Sequence, residues 1–327
     1  MDTSTTTRST HDIRNAHDTQ NTANRRTSRS LILLGFLAIV LIWGSFPIAA
    51  KIGVTEVPPL LLSSTRFLLA SLLLAPIALM QRKRLRLTLK QHIQVCLVSL
   101  FMIAIPSVIF FLAAPYGSIG VLTLMWSTTP LFTALFNLGG QNEAHGWRLA
   151  LSLCVGLVGI VIVLIGRIPF LFGAGGTDLN LFAGNRVALL GELAVLASAG
   201  IYGFGLKLAK QNNPDLPVIT LTMWQMFYTG TLVGLCSLLF ERGYTLHPTL
   251  SSIGILLYLA IFCGCITFFL TFWLIRRIGA IRTSYSDFII PGVTLILSYF
   301  FLGESLTIAK ISGFALVMLG CFLVQGQ

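Results

Sequence analysis

Ten apolar windows, each long enough to cross a membrane, constrain this fold more than any other feature of the sequence. A helix needs roughly 20 mainly apolar residues to span the hydrocarbon core of a bilayer. The windows lie near 31–50, 59–80, 92–113, 117–138, 147–166, 187–209, 217–239, 250–273, 280–302 and 306–325. The chain is 55% hydrophobic and 10% charged, whereas soluble domains carry roughly 25% charged residues. The sequence therefore predicts an all-α integral membrane protein with ten transmembrane helices.

A phrase that occurs twice indicates an internal duplication. Leu33–Ala38 reads LLGFLA and Leu189–Ala194 reads LLGELA, and each copy opens a long apolar window. At the same offset of 156 residues, Gly44 matches Gly200 and Lys51 matches Lys207, and further on, at an offset of 161 residues, Pro130 matches Pro291, Glu143 matches Glu304 and Gly159 matches Gly320. Because each unit holds five windows, an odd number, the second unit is predicted to lie upside down in the membrane. We therefore predict two inverted five-helix repeats, 31–166 and 187–327, joined by an outward linker at 167–186.

The 22 lysines and arginines predict the orientation. With the N-terminus in the cytoplasm, 16 of them fall on the cytoplasmic side, five fall outside and Arg66 falls within a span, as the positive-inside rule requires. Residues 1–30, rich in Thr, Asn, Ser and Arg, are predicted to form a disordered cytoplasmic tail. We expect a plasma or inner membrane location with both termini cytoplasmic. The net charge of +11 then reflects topology and attraction to anionic lipid, and calls for no nucleic-acid partner.

Several short motifs, taken in their order, resemble the EamA-type unit of the drug/metabolite transporter superfamily. In the first half they are Trp43-Gly44-Ser45-Phe46-Pro47, Lys51-Ile52-Gly53, Val57-Pro58-Pro59 and Arg66-Phe67-Leu68-Leu69. In the second half they are Gly191-Glu192, Pro291, and Leu302-Gly303-Glu304 followed by Gly313 and Gly320. The resemblance covers about 31–325, as two units in tandem. It departs from the family pattern at 139–144, where GGQNEA replaces the Leu-Gly-Glu-like ending that the second half keeps.

The resemblance implies a carrier with a central cavity that exports or exchanges small metabolites by alternating access around a site near the bilayer midplane. The expected partners are a small-molecule substrate, the lipid bilayer, and a proton or counter-substrate whose gradient supplies the energy. No GxxxxGK[ST] phosphate loop occurs in the chain, so ATP-driven pumping is disfavoured and no cofactor is expected. Amino acids, small amines and drugs all stay open as substrates, and the oligomeric state stays open as well.

Charged residues inside the spans are candidates for ion coupling, because a charge in the hydrocarbon region is costly. Glu192 and Asp287 each lie roughly 8–10 Å deep at 1.5 Å per residue. We hypothesise that Asp287 lines the cavity, where it could bind an amine or couple protons, and a helix-packing hydrogen bond is the alternative. For Glu192 the alternative is a structural role near the interface. Arg66 is expected to snorkel to the outer surface or to cap a helix, with a role in holding an anionic substrate as the alternative. Lys51 is expected to anchor the end of its span, with a role as a substrate ligand as the alternative.

Aromatic side chains near the middle of the spans predict the lining of the cavity, since aromatic belts would place them at the interfaces instead. They are Trp43, Trp126, Tyr202, Trp224 and Tyr285, and together with Asp287 they form the predicted substrate site. Plain helix packing is the alternative for any one of them.

Two other classes of function fit the sequence less well. All five histidines lie in the tail or at span ends, and all six cysteines lie within spans. This distribution offers no catalytic triad, no metal site and no extracellular disulfide framework, so we expect no enzyme activity. A channel would favour a continuous polar stripe along one helix, and none is evident. A channel or a non-transporting sensor or scaffold therefore stays the alternative to a carrier.

Overall fold

The computed structural model of this protein is built from helices joined by short connections, with no strand among the residues that it describes. These are residues 30–80, 86–136, 146–165, 181–211, 216–242, 249–279, 283 and 285–325. The helices are α1 (Ser30–Gly53), α2 (Pro59–Met80), α3 (Leu89–Ala113), α4 (Ile119–Phe136), α5 (Gly146–Ile165), α6 (Leu181–Gln211), α7 (Val218–Phe240), α8 (the successive segments Leu250–Leu257, Tyr258–Ile266 and Thr267–Ile278), α9 (Ser286–Leu302) and α10 (Ile308–Gln325).

The helices agree with the predicted all-α membrane class. Seven of those described, α1 to α4 and α6 to α8, are long and apolar enough to cross a membrane, while α5, α9 and α10 contain shorter apolar stretches. Every predicted apolar window thus coincides with helix in the part of the chain that is described. The number of spans stays a prediction, as does the inverted repeat.

Some sequence predictions fall partly or wholly outside the described residues. The tail predicted at 1–30 is described only at Ser30, and the departure from the family pattern at 139–144 is not described. Of the predicted linker at 167–186, the described part begins at Leu181, and it is the first turn of α6.

Prolines account for irregular turns in two of the helices. In α4 the regular helix stops after Trp126 and resumes at Thr129, one residue before Pro130. Proline has no N–H to donate to the carbonyl four residues earlier, and that carbonyl, on Trp126, accepts a 2.7 Å hydrogen bond from Thr129 Oγ1 instead. In α3 a π-helical turn, Leu100–Ala104, ends two residues before Pro106.

Equivalent helices of the two predicted halves pack against each other. The most extensive contacts join α5 to α10 and α2 to α7. Glycines allow the α5 and α10 backbones to touch: a Cβ on Gly159 would lie 2.7 Å from the Gly313 carbonyl oxygen, and one on Gly320 would lie 2.8 Å from the Ser152 carbonyl oxygen. Such close approach is the usual role of small residues between membrane helices.

Candidate functional site

Trp126, Tyr202 and Asp287 come together where α6 and α9 both contact α4. The rings of Trp126 and Tyr202 meet edge to face, with centroids 5.2 Å apart. The Asp287 carboxylate is close enough to the Tyr202 phenol for their charges to interact, and it accepts a 3.5 Å hydrogen bond from the Ser286 hydroxyl. Trp126 and Tyr202 are half-buried and Asp287 is exposed, so this central cluster borders accessible space. Three of the residues predicted from the sequence are therefore neighbours.

Trp43 belongs to an aromatic row that starts on α1 and continues into α3. Its ring centroid lies 5.7 Å from that of Phe46, and Phe46 stacks on Phe110 at 5.7 Å. Phe46 and Trp126 both pack against the main apolar core of the protein. The row from α1 and the central cluster thus share one core.

Arg66 is placed differently from its expected position. It was expected to snorkel, yet only 7% of its surface is exposed. Its guanidinium carbon lies 4.8, 4.0 and 5.0 Å from the ring centroids of Phe46, Phe67 and Phe111. The expectation failed because depth along the helix was read without its rotation: Arg66 faces α1 and α3, where aromatic rings attract the cation.

Trp224, in the second turn of α7, lies in a different aromatic group, which includes His92 in the first turn of α3. Its ring packs against His92 at 4.9 Å and against Tyr228 at 5.8 Å, and His92 Nδ1 and the Tyr228 hydroxyl are 2.5 Å apart. Trp224 packs against a smaller apolar cluster than the one that holds Trp126 and Phe46. Its placement thus separates it from the other predicted site residues.

The remaining two predicted residues differ sharply in burial. Tyr285 is 47% exposed, and its nearest ring is that of Phe288, with centroids 6.5 Å apart. Glu192 is completely buried, next to Gly191, where a Cβ would lie 3.1 Å from that of Ala113 on α3. Glu192 is therefore surrounded by other helices of the bundle.

Glu304 forms a dense polar cluster at one end of the helices. Its carboxylate accepts hydrogen bonds from the Ser118 hydroxyl at 2.5 Å and from the amides of Ile119 and Gly120 at 2.6 and 3.1 Å. Those amides open α4, so the carboxylate satisfies N–H groups that have no partner within the helix. Two ammonium groups complete the cluster, because Lys51 and Lys310 lie 3.7 and 3.8 Å from the carboxylate oxygens.

The Leu-Gly-Glu motif explains how Glu304 reaches α4. Gly303 ends α9 in the left-handed conformation, with φ at 66°, which glycine adopts without steric cost. The chain therefore turns sharply, and the Glu304 amide donates to the Ser298 carbonyl at 3.2 Å.

The neighbours of Glu304 set its protonation. Burial alone would raise the pKa of this carboxyl. The Ser118 hydroxyl, the amides of Ile119 and Gly120 and the Lys310 ammonium together hold the pKa below its ordinary value. Glu304 is therefore a carboxylate at neutral pH.

Two more carboxylates cap helices at the same end of the molecule. Glu241, just after α7, accepts the amide hydrogens of Leu60 and Leu61 at 2.8 and 2.9 Å, at the start of α2. Glu56, just after α1, accepts a hydrogen bond from the hydroxyl of Thr249, which caps α8. We call this end, defined by Glu56, Glu241 and Glu304, the capped face. Each of its carboxylates bonds a helix of the other predicted half.

No group of three or more His, Cys, Asp or Glu side chains that could hold a metal ion occurs among the described residues. The charged groups considered above are Asp287, Glu192, Arg66 and those of the capped face. The arrangement offers hydrogen-bonding and aromatic contacts for a small molecule.

Sequence reasoning missed the environment of Arg66 and the helix-capping role of Glu304. For Arg66 a signal existed, because Phe67 and Phe46 both lie in motifs that the sequence singled out. For Glu304 the signal was the glycine before it, which marks a helix end. Neither signal identifies the partner helix, which lies far away in the chain.

Sequence similarity places the chain among transporters. The model of the EamA-like transporter family matches residues 30–165 and 189–325. The uncharacterized transporter YoaV of Bacillus subtilis is 25% identical over 89% of this chain and 96% of its own length. The uncharacterized inner membrane transporter YedA of Escherichia coli K12 is 28% identical over 89% of each. A probable amino-acid metabolite efflux pump of Salmonella typhimurium is 26% identical over 88% of this chain and 93% of its own.

Structural similarity supports the fold. A chain in a solved crystal structure superimposes with a TM-score of 0.58, covering 90% of this chain and 96% of its own length. The two are 22% identical, so this likeness concerns the fold alone.

Proposed function

The chain belongs to the EamA-like transporter family, and from this premise we propose that it is a secondary-active transporter that exports or exchanges small metabolites by alternating access. The observation that carries the proposal is the central cluster. Trp126 comes from the first predicted half and Tyr202 and Asp287 from the second, and they meet beside accessible space. When one half rocks against the other, a site formed by both halves opens first to one side of the membrane and then to the other.

The positions of the helix connections support an inverted relation between the halves. In the first half, the connections at the capped face are the first and the third, α1–α2 and α3–α4. In the second half, they are the second and the fourth, α7–α8 and α9–α10. Corresponding connections of the two halves thus lie at opposite ends of the molecule. This arrangement is expected when each half contains five spans in opposite orientation.

The capped face is the outer face in this proposal. Basic residues such as Arg86, Lys90 and Arg277 lie at the opposite ends of these helices, and the positive-inside rule places such residues in the cytoplasm. The three capping carboxylates then close the outer mouth of the carrier. Transport requires these bonds to break and reform, because each of them joins the two halves.

Asp287 is the proposed coupling and amine-binding residue. It is an exposed acidic side chain in the first turn of α9, near the Tyr202 phenol, and there it can take up a proton or bind a cationic group. Amino acids, amines and hydrophobic drugs all suit a site of this composition. The Salmonella relative, named a probable amino-acid metabolite efflux pump, makes amino acids the first compounds to test.

The test is counterflow of labelled amino acids, amines and drugs in proteoliposomes that hold the purified protein, with and without an imposed pH gradient. We expect saturable counterflow of at least one class, which Asp287→Asn abolishes or renders insensitive to pH. Protein-free liposomes and the Arg277→Gln variant are the controls, because Arg277 is exposed at the end of α8. Folded protein that moves none of these solutes would contradict the carrier and favour a sensor or scaffold.

A further inference from the structure

Arg66 is a buried cation with an incomplete set of hydrogen bonds. A guanidinium carries five N–H donors. Its hydrogen bond among the described residues runs from Nη2 to the Ser107 hydroxyl, at a long 3.4 Å. Nε is buried and has no acceptor there. The ion pairs found in the same residues use Lys51 and Lys310, so the structure describes no carboxylate that neutralises Arg66.

The three aromatic rings around Arg66 do not supply the missing hydrogen-bond acceptors. The rings of Phe46, Phe67 and Phe111 lie within 5.0 Å of the guanidinium carbon, and their π-electrons attract the positive charge. An aromatic ring is at best a weak acceptor of N–H bonds compared with a carboxylate or carbonyl oxygen. An isolated charge away from water is costly without a partner, so the rings orient the cation without satisfying it.

We propose that Arg66 binds the carboxylate of the transported substrate. This inference rests on the proposed transport function and adds the substrate class: anionic or zwitterionic solutes that carry a carboxylate and an apolar group. A carboxylate matches a guanidinium edge because both are planar and form two parallel hydrogen bonds. The surrounding phenylalanines would contact the apolar part of such a solute. Amines and drugs without an acidic group would lack this contact.

Arg66 is also connected to the predicted site. Phe46 contacts both the Arg66 guanidinium, at 4.8 Å, and Trp43, at 5.7 Å between ring centroids. A solute held by Arg66 therefore lies next to the row of aromatic rings that runs into the main core. The structural alternative is that Arg66 only ties α1, α2 and α3 together, and a direct binding experiment separates the two.

The experiment measures ligand-induced thermal stabilisation of the purified full-length protein by L-phenylalanine and L-phenylalaninamide, and then by a panel of amino acids and their amides. Each pair differs only in the carboxylate. We expect the wild-type protein to bind an acid at least about tenfold more tightly than its amide, since hydrogen bonds to charged groups have this strength. We expect Arg66→Gln to lose the preference and Arg66→Lys to keep part of it.

Arg277→Gln is the matched control, because Arg277 also lies over an aromatic ring, that of Trp273 at 5.7 Å, but is exposed at the end of α8. This variant should bind the acids as the wild type does. Equal stabilisation by acid and amide, or no stabilisation by any acid of the panel, would overturn the proposal, even if Arg66→Gln fails to fold. An unchanged preference in a folded Arg66→Gln would overturn it too.

The failure of this inference is distinguishable from that of the transport proposal. Counterflow of amines or drugs together with no acid preference would contradict only the role of Arg66. An acid preference that depends on Arg66, found in protein that supports no counterflow, would contradict only the carrier.

Discussion

At the scale of single residues, Gly303 and Glu304 show how a short motif places a carboxylate at the start of another helix. Gly303 turns the chain out of α9, and the carboxylate that follows meets a helix start with two free amides and two lysines. Each partner alone contributes modestly, since exposed ion pairs are weak. The cluster is only 12% exposed at Glu304, so several hydrogen bonds to one charge act together in a place that water reaches poorly.

Replacing Glu304 tests this cluster. Glu304→Gln removes the charge that Lys51 and Lys310 share, and we expect the free energy of unfolding to fall by about 1–3 kcal/mol. Thermal unfolding of the purified protein measures the loss. Glu56→Gln is the control, because Glu56 is exposed and should have a smaller effect. Equal losses in the two variants would contradict a special contribution of Glu304.

The depressed pKa of Glu304 adds a dependence on pH. Its folded-state pKa lies below the ordinary value of 4.5, so the stability that it contributes is fully present above that value. This contribution is lost as pH falls through the folded-state pKa. We therefore expect wild type and Glu304→Gln to differ in melting temperature at about pH 7 and to converge below about pH 4. A difference that stays constant from neutral to acid pH would refute the assignment.

At the scale of the helices, close packing of their backbones is the main interaction that holds them together. The contact of α5 with α10 depends on glycines that let the two backbones touch, and apolar surface alone provides little drive for association inside a bilayer. The irregular turn of α4 also belongs to this level. There the Trp126 carbonyl accepts a hydrogen bond from the Thr129 hydroxyl, and the Trp126 ring contacts Tyr202. Irregular backbone is tolerated at membrane depth where protein surrounds it.

A single methyl group tests the α5–α10 contact. At Gly159 a Cβ would lie 2.7 Å from the Gly313 carbonyl oxygen, a backbone atom that can yield only if the helices separate. We expect Gly159→Ala to destabilise the protein by about 1–3 kcal/mol. At Gly254 in α8 a Cβ would meet nothing within 4 Å, so Gly254→Ala should be neutral or slightly stabilising. Melting temperatures of the two variants in detergent decide the matter, and a reversed order would refute it.

At the scale of the whole molecule, the capped face joins the two predicted halves. Three carboxylates cross between the halves, and each contacts the start of a helix in the other half. Bonds of this kind can break and re-form, because each partner can bond to water instead, at a cost that is smaller for the exposed Glu56 than for the poorly hydrated Glu304. In the proposed rocking motion, these are the bonds between the halves that break.

A cross-link tests whether the capped face must open. Glu56→Cys and Thr249→Cys place two thiols at positions whose native side chains touch. We expect a disulfide between them to stop counterflow and reduction to restore it, because the halves could no longer separate. The two single-cysteine variants control for the substitutions and for the native cysteines. Undiminished counterflow in fully cross-linked protein would show that transport does not require this face to open.

The sequence by itself determined which segments are helical and that they belong in a membrane. A membrane helix satisfies its backbone hydrogen bonds within its own segment, and its length is set by the bilayer, so both properties can be read from consecutive residues. The pairing of Trp126 with Tyr202 was anticipated only as a shared cavity, because ring contacts depend on how the helices are rotated.

Only the tertiary structure decided where the charged side chains go. Arg66 was expected to reach the outer surface and lies among three rings, and Glu304 caps α4. Each outcome depends on helix rotation and on partners distant in the chain. Hydropathy reports the depth of a residue in the membrane, whereas rotation and crossing decide which neighbour its side chain meets.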